Sequence, residues 1–329
     1  MSRSHYILKR IGHALLVMGL TYLLVWTIIF LMPGDPVRNR LDNPQNPVPP
    51  EVAEHIIRYY ELDRSGLEQL LLSVTRLFQG DLGYSLANGI PVTELLAQGI
   101  QSTFLLAALG LAATLVISAA VALTAVFAPW GPVRSAAAVI PLLSLSAPTF
   151  LVGLLLLQVF AYQLGWFSSI RDEGLKSLLL PAVNLGIAAS PPITRVLIQG
   201  LSDAQRKPFV NVLRAKGLSE AAVAAHVVKN GSIPTVTLLG LTAGGLLTGS
   251  VITEVVFSRT GLGYITDQAV RAQDGPVVLG VVMLVAGIVT VFNLLTDLLY
   301  PAIDPRIEIY DKSSGRGAAQ EKTREKVDS

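Results

Sequence analysis

The chain has no cysteine among its 329 residues. That excludes disulfides, thiolate metal sites and a cysteine nucleophile together. Charge is also scarce, at 15% of residues, where soluble domains carry about 25%. Aromatic residues make up 7%, and there are four histidines. None sits in an HExxH arrangement, so no metal site is expected. There is no GxxxxGK[ST] segment, so the chain lacks a phosphate cradle of its own for ATP. No Ser/His/Asp set or paired carboxylate stands out, and no nucleic-acid partner is expected. The formal net charge of +2 carries little meaning in a chain whose charges matter by location.

What is abundant is apolar sequence: 51% hydrophobic residues and a mean hydropathy of +0.55. It is gathered into runs of about 20 residues, the length that crosses about 30 Å of hydrocarbon. Hydropathy gives six spans, at 10–32, 102–128, 135–161, 178–201, 233–257 and 277–301. Each is read as a helix, because an isolated strand leaves backbone groups unsatisfied in lipid. The stretch Ile11–Met32 follows basic residues as a signal peptide would. It is too long for a signal core and no A-x-A-like site follows, so it reads as a retained first span. Pro181, Pro191 and Pro192 interrupt the fourth span and are expected to kink it.

The basic residues set the orientation. Arg3, Lys9 and Arg10 lie in the N-terminal tail and Arg134 in the 2–3 connection. Arg206, Lys207, Arg214, Lys216 and Lys229 lie in the 4–5 connection, and six more basic residues follow the last span. With six spans all of these fall on one side. The positive-inside rule makes that side the cytoplasm, with both termini inside. The expected organisation is a cytoplasmic tail over 1–9, a transmembrane domain over 10–310 and a disordered charged tail over 311–329.

Two polar segments are long. Residues 33–101 fall outside and read as a folded cap. It opens on the turn Pro33-Gly34-Asp35-Pro36, and Leu67, Leu70, Leu71, Val74, Leu77 and Phe78 recur at helical spacing. Residues 202–232 fall inside. There a short helix ends on Gly217 at the first position beyond its cap. A second starts with Ser219 as N-cap, and Pro234 opens the fifth span. Two helices joined by a glycine elbow make a knob, a shape suited to a groove on another protein. An inert loop is the bland alternative.

Few residues inside the spans carry chemistry. Gly240/Gly244 and Gly245/Gly249 are small-xxx-small pairs that permit close helix approach. With Ser250 they also leave room for a path. Glu254 is the one acid near the outer end of the fifth span. Structural pairing is the favoured role for it over contact with an incoming ammonium group. Asn293 and Asp297 share a helical face at i, i+4 and are read as interhelical hydrogen-bonding groups. Buried acids fit for a proton relay are few and no internal repeat is evident, which disfavours a proton-coupled carrier.

The cytoplasmic segment Val212-Leu213-Arg214-Ala215-Lys216-Gly217-Leu218-Ser219, followed by His226, Asn230 and Ile233-Pro234, resembles the coupling loop of permeases of ATP-binding-cassette importers, in their dipeptide/oligopeptide branch. The likeness runs nearly end to end. It takes in Pro33-Gly34-Asp35-Pro36, Gln79-Gly80-Asp81-Leu82-Gly83-Tyr84-Ser85, Pro148-Thr149-Phe150, Leu164-Gly165-Trp166, Thr253-Glu254-Val255-Val256-Phe257, Gly261-Leu262-Gly263, Asn293–Tyr300 and Asp304-Pro305-Arg306. One departure is the alanine-rich run Ala221, Ala222, Ala224 and Ala225, where the family usually has arginines.

The resemblance implies an all-α, polytopic type I importer permease in a bacterial plasma membrane. It implies a second, related permease, two cytoplasmic ATPase subunits that bind ATP and magnesium, and an external substrate-binding protein. No cofactor is expected in this chain. Arg214, Ala215, Lys216, Gly217, Leu218 and Ser219 would couple it to the ATPases. Short peptides are the implied cargo, with nickel chelates or another small solute as alternatives. Moving a two-state pore from 1:99 to 99:1 takes about 5.5 kcal/mol of differential binding, which ATP binding by partner subunits can supply and nothing in this chain can.

Overall fold

The computed structural model describes residues 3–31, 50–60, 65–168 and 174–303. The side chains of 3–10, 30–31, 292–303 and a few isolated positions are outside that description. The tail over 311–329, the turn at residues 33–36 and the segment 304–306 therefore lie outside the described residues. Among the described residues the regular structure is helical, with one isolated bridge between Tyr84 and Pro91.

The helices are α1 (Arg3–Leu31), α2 (Pro50–Tyr60), α3 (Gly66–Phe78), α4 (Val92–Phe127), α5 (Gly131–Ser146), α6 (Thr149–Leu156), α7 (Leu175–Gln205), α8 (Pro208–Ala215), α9 (Glu220–Gly231), α10 (Ile233–Val256), α11 (Leu262–Arg271) and α12 (Gly275–Ile303). A wider-pitched turn continues α6 over Leu157–Gln163. Four of the helices are long and apolar enough to cross a membrane: Ile11–Ile29 within α1, α4, α7 and α10. The pair α5 and α6 passes the same test together. In α12 the apolar described stretch is Gly275–Val291.

Three boundaries differ from the hydropathy reading. The third span, expected as one helix over 135–161, is two helices meeting at 107°. Pro148 causes the break. It has no N–H to give and pushes Ala147 into an extended conformation at φ −88°, ψ 124°. The second span begins at Val92 rather than 102. At 36 residues and 1.5 Å per residue it is about 54 Å long, longer than the hydrocarbon. Its first turns bury Val92 and Leu96 against Leu262, Ala269, Val277 and Val281 of α11 and α12, so they need neither lipid nor water. The third difference is α7, which runs unbroken through Pro181, Pro191 and Pro192. Pro191 removes the amide that would meet the Ile187 carbonyl. Ser190 Oγ donates to that carbonyl instead, at 3.2 Å.

α4 and α7 form the most extensive helix pair and α10 packs on both. Leu106 and Ala107 of α4, Leu178, Ala182 and Leu185 of α7, and Leu246 and Leu247 of α10 make one buried cluster. Glycine brings α4 and α7 close: a side chain at Gly186 would meet Ala113 and the Thr114 backbone. α1 stands apart and buries Tyr22 and Trp26 against Met283 of α12, while Leu15, Leu16, Leu20 and Leu24 are exposed. That is the pattern of a helix facing lipid.

The helix expected from the leucine spacing over 67–78 is α3. Ser65 and Glu68 form a capping box at its start. Beyond its end, Gly80 at φ 78° donates to Leu77 O and Asp81 N donates to Arg76 O. This segment packs through polar aromatics. Tyr59 Oη donates to Asp81 Oδ2 at 2.7 Å, the Arg76 guanidinium lies 4.0 Å from the Tyr59 ring centre, and Tyr60 Oη donates to Tyr84 O at 2.9 Å. Burial pushes the pKa of both phenols well above the usual tyrosine range.

Candidate functional site

The elbow follows from local sequence. Pro208 occupies the first turn of α8, where its missing N–H costs nothing. Gly217 ends that helix at φ 79°, a left-handed conformation that costs glycine nothing. Gly217 N donates to Arg214 O at 2.9 Å and Leu218 N to Leu213 O at 3.2 Å, which satisfies two terminal carbonyls of α8. Ser219 then caps α9, its Oγ accepting from Ala222 N at 3.3 Å. Arg214, Ala215, Lys216, Gly217 and Ser219 are exposed, and Leu218 is half-buried.

A further contact spans the elbow. Arg214 Nε and Nη2 donate to Glu220 Oε1 and Oε2, both at 3.0 Å. This fork holds α8 against the start of α9. The Glu220 carboxylate raises the pKa of Arg214, and the guanidinium lowers that of Glu220, so each favours the other's charged form. Both groups are fully exposed, so the pair shapes the elbow more than it stabilises the fold.

The elbow is anchored from beneath. Val210 of α8 and Val223 and Val227 of α9 are buried with Leu197, Leu201 and Ala204 of α7 and Ala122 and Val126 of α4. The alanine run fits this packing: small residues fill α9 while Val223 and Val227 are buried with α7 residues. At the far end of α9 the backbones touch. A side chain at Gly231 would meet the Gly200 carbonyl and Leu201 Cα, and one at Gly200 would meet Gly231 O.

The glycines of α10 are arranged differently. Among the described residues nothing lies within 4 Å of a side chain built at Gly240 or Gly245, and one at Gly249 would touch only Leu185, at 3.9 Å. Gly240, Gly245 and Gly249 are exposed and Gly244 half-buried. Among the described residues Gly240, Gly245 and Gly249 are not used for close packing, and they leave an open face on α10. Ser250 is buried and donates to Leu247 O at 2.9 Å.

Glu254 ends α10 with 0% exposure. Thr103 Oγ1 of α4 donates to its Oε1 at 2.7 Å, and Gly263 N donates to its Oε2 at 2.7 Å. Thr103 Oγ1 also accepts from Leu262 N at 2.8 Å. The carboxyl group and the hydroxyl therefore cap the N-terminus of α11, where backbone donors are otherwise unpaired. Gly261 and Gly263 are required there, since a side chain at Gly261 would run into Glu254 and one at Gly263 into the Val251 backbone. Next to it, Asn184 Nδ2 of α7 donates to Thr253 Oγ1 at 3.1 Å. The side chains of Asn293 and Asp297 lie outside the described residues.

Gly200, Gly231, Glu220 and Thr103 escape a reading of the sequence. The Gly261-Leu262-Gly263 run was visible, but nothing linear tied it to a carboxyl seven residues earlier and a hydroxyl in another helix. Chemically, the arrangement offers no nucleophile, acid–base pair or phosphate cradle among the described residues. It presents an exposed helical elbow at one end of α7 and α10 and a capped, hydrogen-bonded lip at the other.

Comparison with known proteins gives the class. Residues 129–309 match the family described as "Binding-protein-dependent transport system inner membrane component". The glutathione transport system permease protein GsiC of Pectobacterium atrosepticum is 32% identical over 92% of this chain and 98% of its own length. The protein of the same name from Escherichia coli K12 is 30% identical over the same shares. A solved amino acid ABC transporter with histidines shares 17% identity at a TM-score of 0.47, over 63% of this chain and 93% of that one. The chain belongs to the inner-membrane permeases of binding-protein-dependent ABC importers, in the dipeptide/oligopeptide branch, in which separate subunits hydrolyse the ATP.

Proposed function

We propose that this chain forms, with a second related permease, the membrane path of a short-peptide importer, and that the 214–219 elbow is where two cytoplasmic ATPase subunits push. The observation that carries the reading is the elbow itself. It exposes its tip, fixes its shape with Gly217 and the Arg214–Glu220 fork, and roots its base in α7 and α4. A force on the tip is then delivered to the central helix pair. The open α10 face with Gly240 and Gly245 supports a partner permease or the path on that side. Peptide cargo is supported by the GsiC relatives, since glutathione is a tripeptide. ATP and magnesium belong to the ATPases and an external binding protein delivers the cargo. A nickel chelate or another small solute would use the same machinery.

Two substitutions test the coupling role. Ala215→Asp puts an unpaired carboxylate into the contact, and Gly217→Val forces a β-branched residue to positive φ. Both variants should insert in the membrane yet lose the ATPase stimulation caused by loaded binding protein in reconstituted vesicles. Normal stimulation in both would refute the elbow as the coupling element.

The orientation, elbow inside and α3 outside, is tested by thiol labelling, because the chain has no cysteine of its own. Ser65 and Ser219 cap helices, so Leu67→Cys and Ala215→Cys are better reporters. An impermeant maleimide on intact spheroplasts should modify position 67 and spare 215. The reverse pattern would invert the topology.

A further inference from the structure

At the end of α10 opposite the elbow, α11, the start of α4 and the 85–88 loop enclose a cavity of about 560 Å³, open to solvent. Its walls carry three carboxamides, Asn88, Gln98 and Gln268, and the hydroxyls of Thr260 and Tyr264. Asn88, Gln98, Thr260 and Gln268 are exposed. The charged group in the lining is Asp274, and it is spent on the wall itself. It is 2% exposed and accepts from Ser85 Oγ, from Leu86 N at 3.1 Å and from Ala87 N at 3.3 Å.

The frame around this cavity is fixed at both ends. Glu254 and Thr103 cap the start of α11. Beyond its end, Asp274 N donates to Ala269 O at 2.8 Å while the Asp274 side chain holds the loop. Preorganised walls with a few convergent polar groups are what a ligand site needs.

We propose that this cavity is a contact site for peptide cargo, and that it reads peptide bonds rather than charged termini. The inference rests on the peptide reading above. A carboxamide offers both donor and acceptor, the pairing a peptide unit presents along its length whatever its side chains. No uncommitted charge lies in the described lining to select an ammonium or a carboxylate end. Such a site holds varied peptides loosely, as a path must.

The test uses the purified complex in nanodiscs. Ala272→Cys, in the cavity wall and outside the carboxamide set, reports occupancy through its rate of maleimide labelling, read by mass on this chain. Trialanine and its N-acetylated, C-amidated form should slow labelling to the same extent. In the Gln98→Leu/Gln268→Leu background that protection should vanish, and the KM for trialanine uptake should rise about tenfold, the scale of one to two neutral hydrogen bonds. Protection by free but not capped trialanine would overturn the peptide-bond reading. Protection by unliganded binding protein alone would make the cavity a docking surface and overturn the cargo role. Unchanged labelling with every probe, while vesicles still take up trialanine, would sink this inference and leave the proposed function standing. Vesicles of the unaltered complex that take up no trialanine would remove both.

Discussion

Gly200 of α7 and Gly231 of α9 are in backbone contact, with no room for a methyl group on either. The contact lies between the elbow's second helix and the end of the central α4–α7 pair. Gly231→Ala should force the two backbones apart at a cost of about 1–3 kcal/mol, the range for overpacking a tight interior. The expected outcome is a lower thermal midpoint for the complex and weaker ATPase stimulation by loaded binding protein. Gly19→Ala, on the exposed side of α1 with nothing described within 4 Å, is the control for helix propensity alone and should leave the midpoint unchanged or higher. Equal midpoints for Gly231→Ala and the unaltered chain would mean that α9 rides freely on α7.

The Arg214–Glu220 fork gives the elbow a pH dependence of known sign. Pairing lowers the Glu220 pKa from its ordinary value of 4.5. A depressed carboxylate contributes stability above its unfolded pKa and loses it as pH falls through the folded one. The elbow should therefore be unaffected between pH 6 and 8, on the order of two to four units above an ordinary glutamate, and loosen only in acid. Glu220→Gln should resemble the acid form at every pH. Hydrogen exchange of the 214–220 amides is the measurement. A protection loss centred near neutral pH would assign the change to some other group.

Much of this was legible in the chain and some was not, for physical reasons. Runs of apolar residues locate the spans because lipid admits so few backbone solutions. Gly217 and Ser219 announce their roles because helix ends are settled by neighbours in sequence. The break at Pro148 was missed because hydropathy sums over a window and is blind to one absent N–H. Pro191 leaves α7 continuous, since the Ser190 hydroxyl meets the freed Ile187 carbonyl locally. The α10 glycines mark a surface as approachable without saying what approaches it, and among the described residues nothing comes near Gly240 or Gly245. Thr103, Gly200 and Asp274 acquire meaning only through partners distant in sequence.

Glu254 gives the last prediction. It could have faced the path, where its charge would meet a peptide's ammonium group. Instead it is buried with both oxygens engaged, by Thr103 and by Gly263 N, and its role is to hold α11 against α4. Glu254→Gln keeps the size but turns one oxygen into an N–H donor. Toward Gly263 it would set donor against donor, and the alternative amide flip leaves the Thr103 hydroxyl accepting from both the amide and Leu262 N, with its own proton deprived of its acceptor. A buried polar group left unsatisfied costs about 1–3 kcal/mol, so the variant should melt earlier. Its effect on transport should be indirect and therefore uniform. Uptake of glutathione, a dialanine and a lysine-containing tripeptide should fall by similar factors in a strain lacking other peptide importers. Glu254→Asp shortens the side chain without removing the charge, and should also weaken the cap. A selective loss of the lysine-containing peptide with Gln, restored by Asp, would mean that Glu254 meets cargo directly and that the observed cap opens during transport.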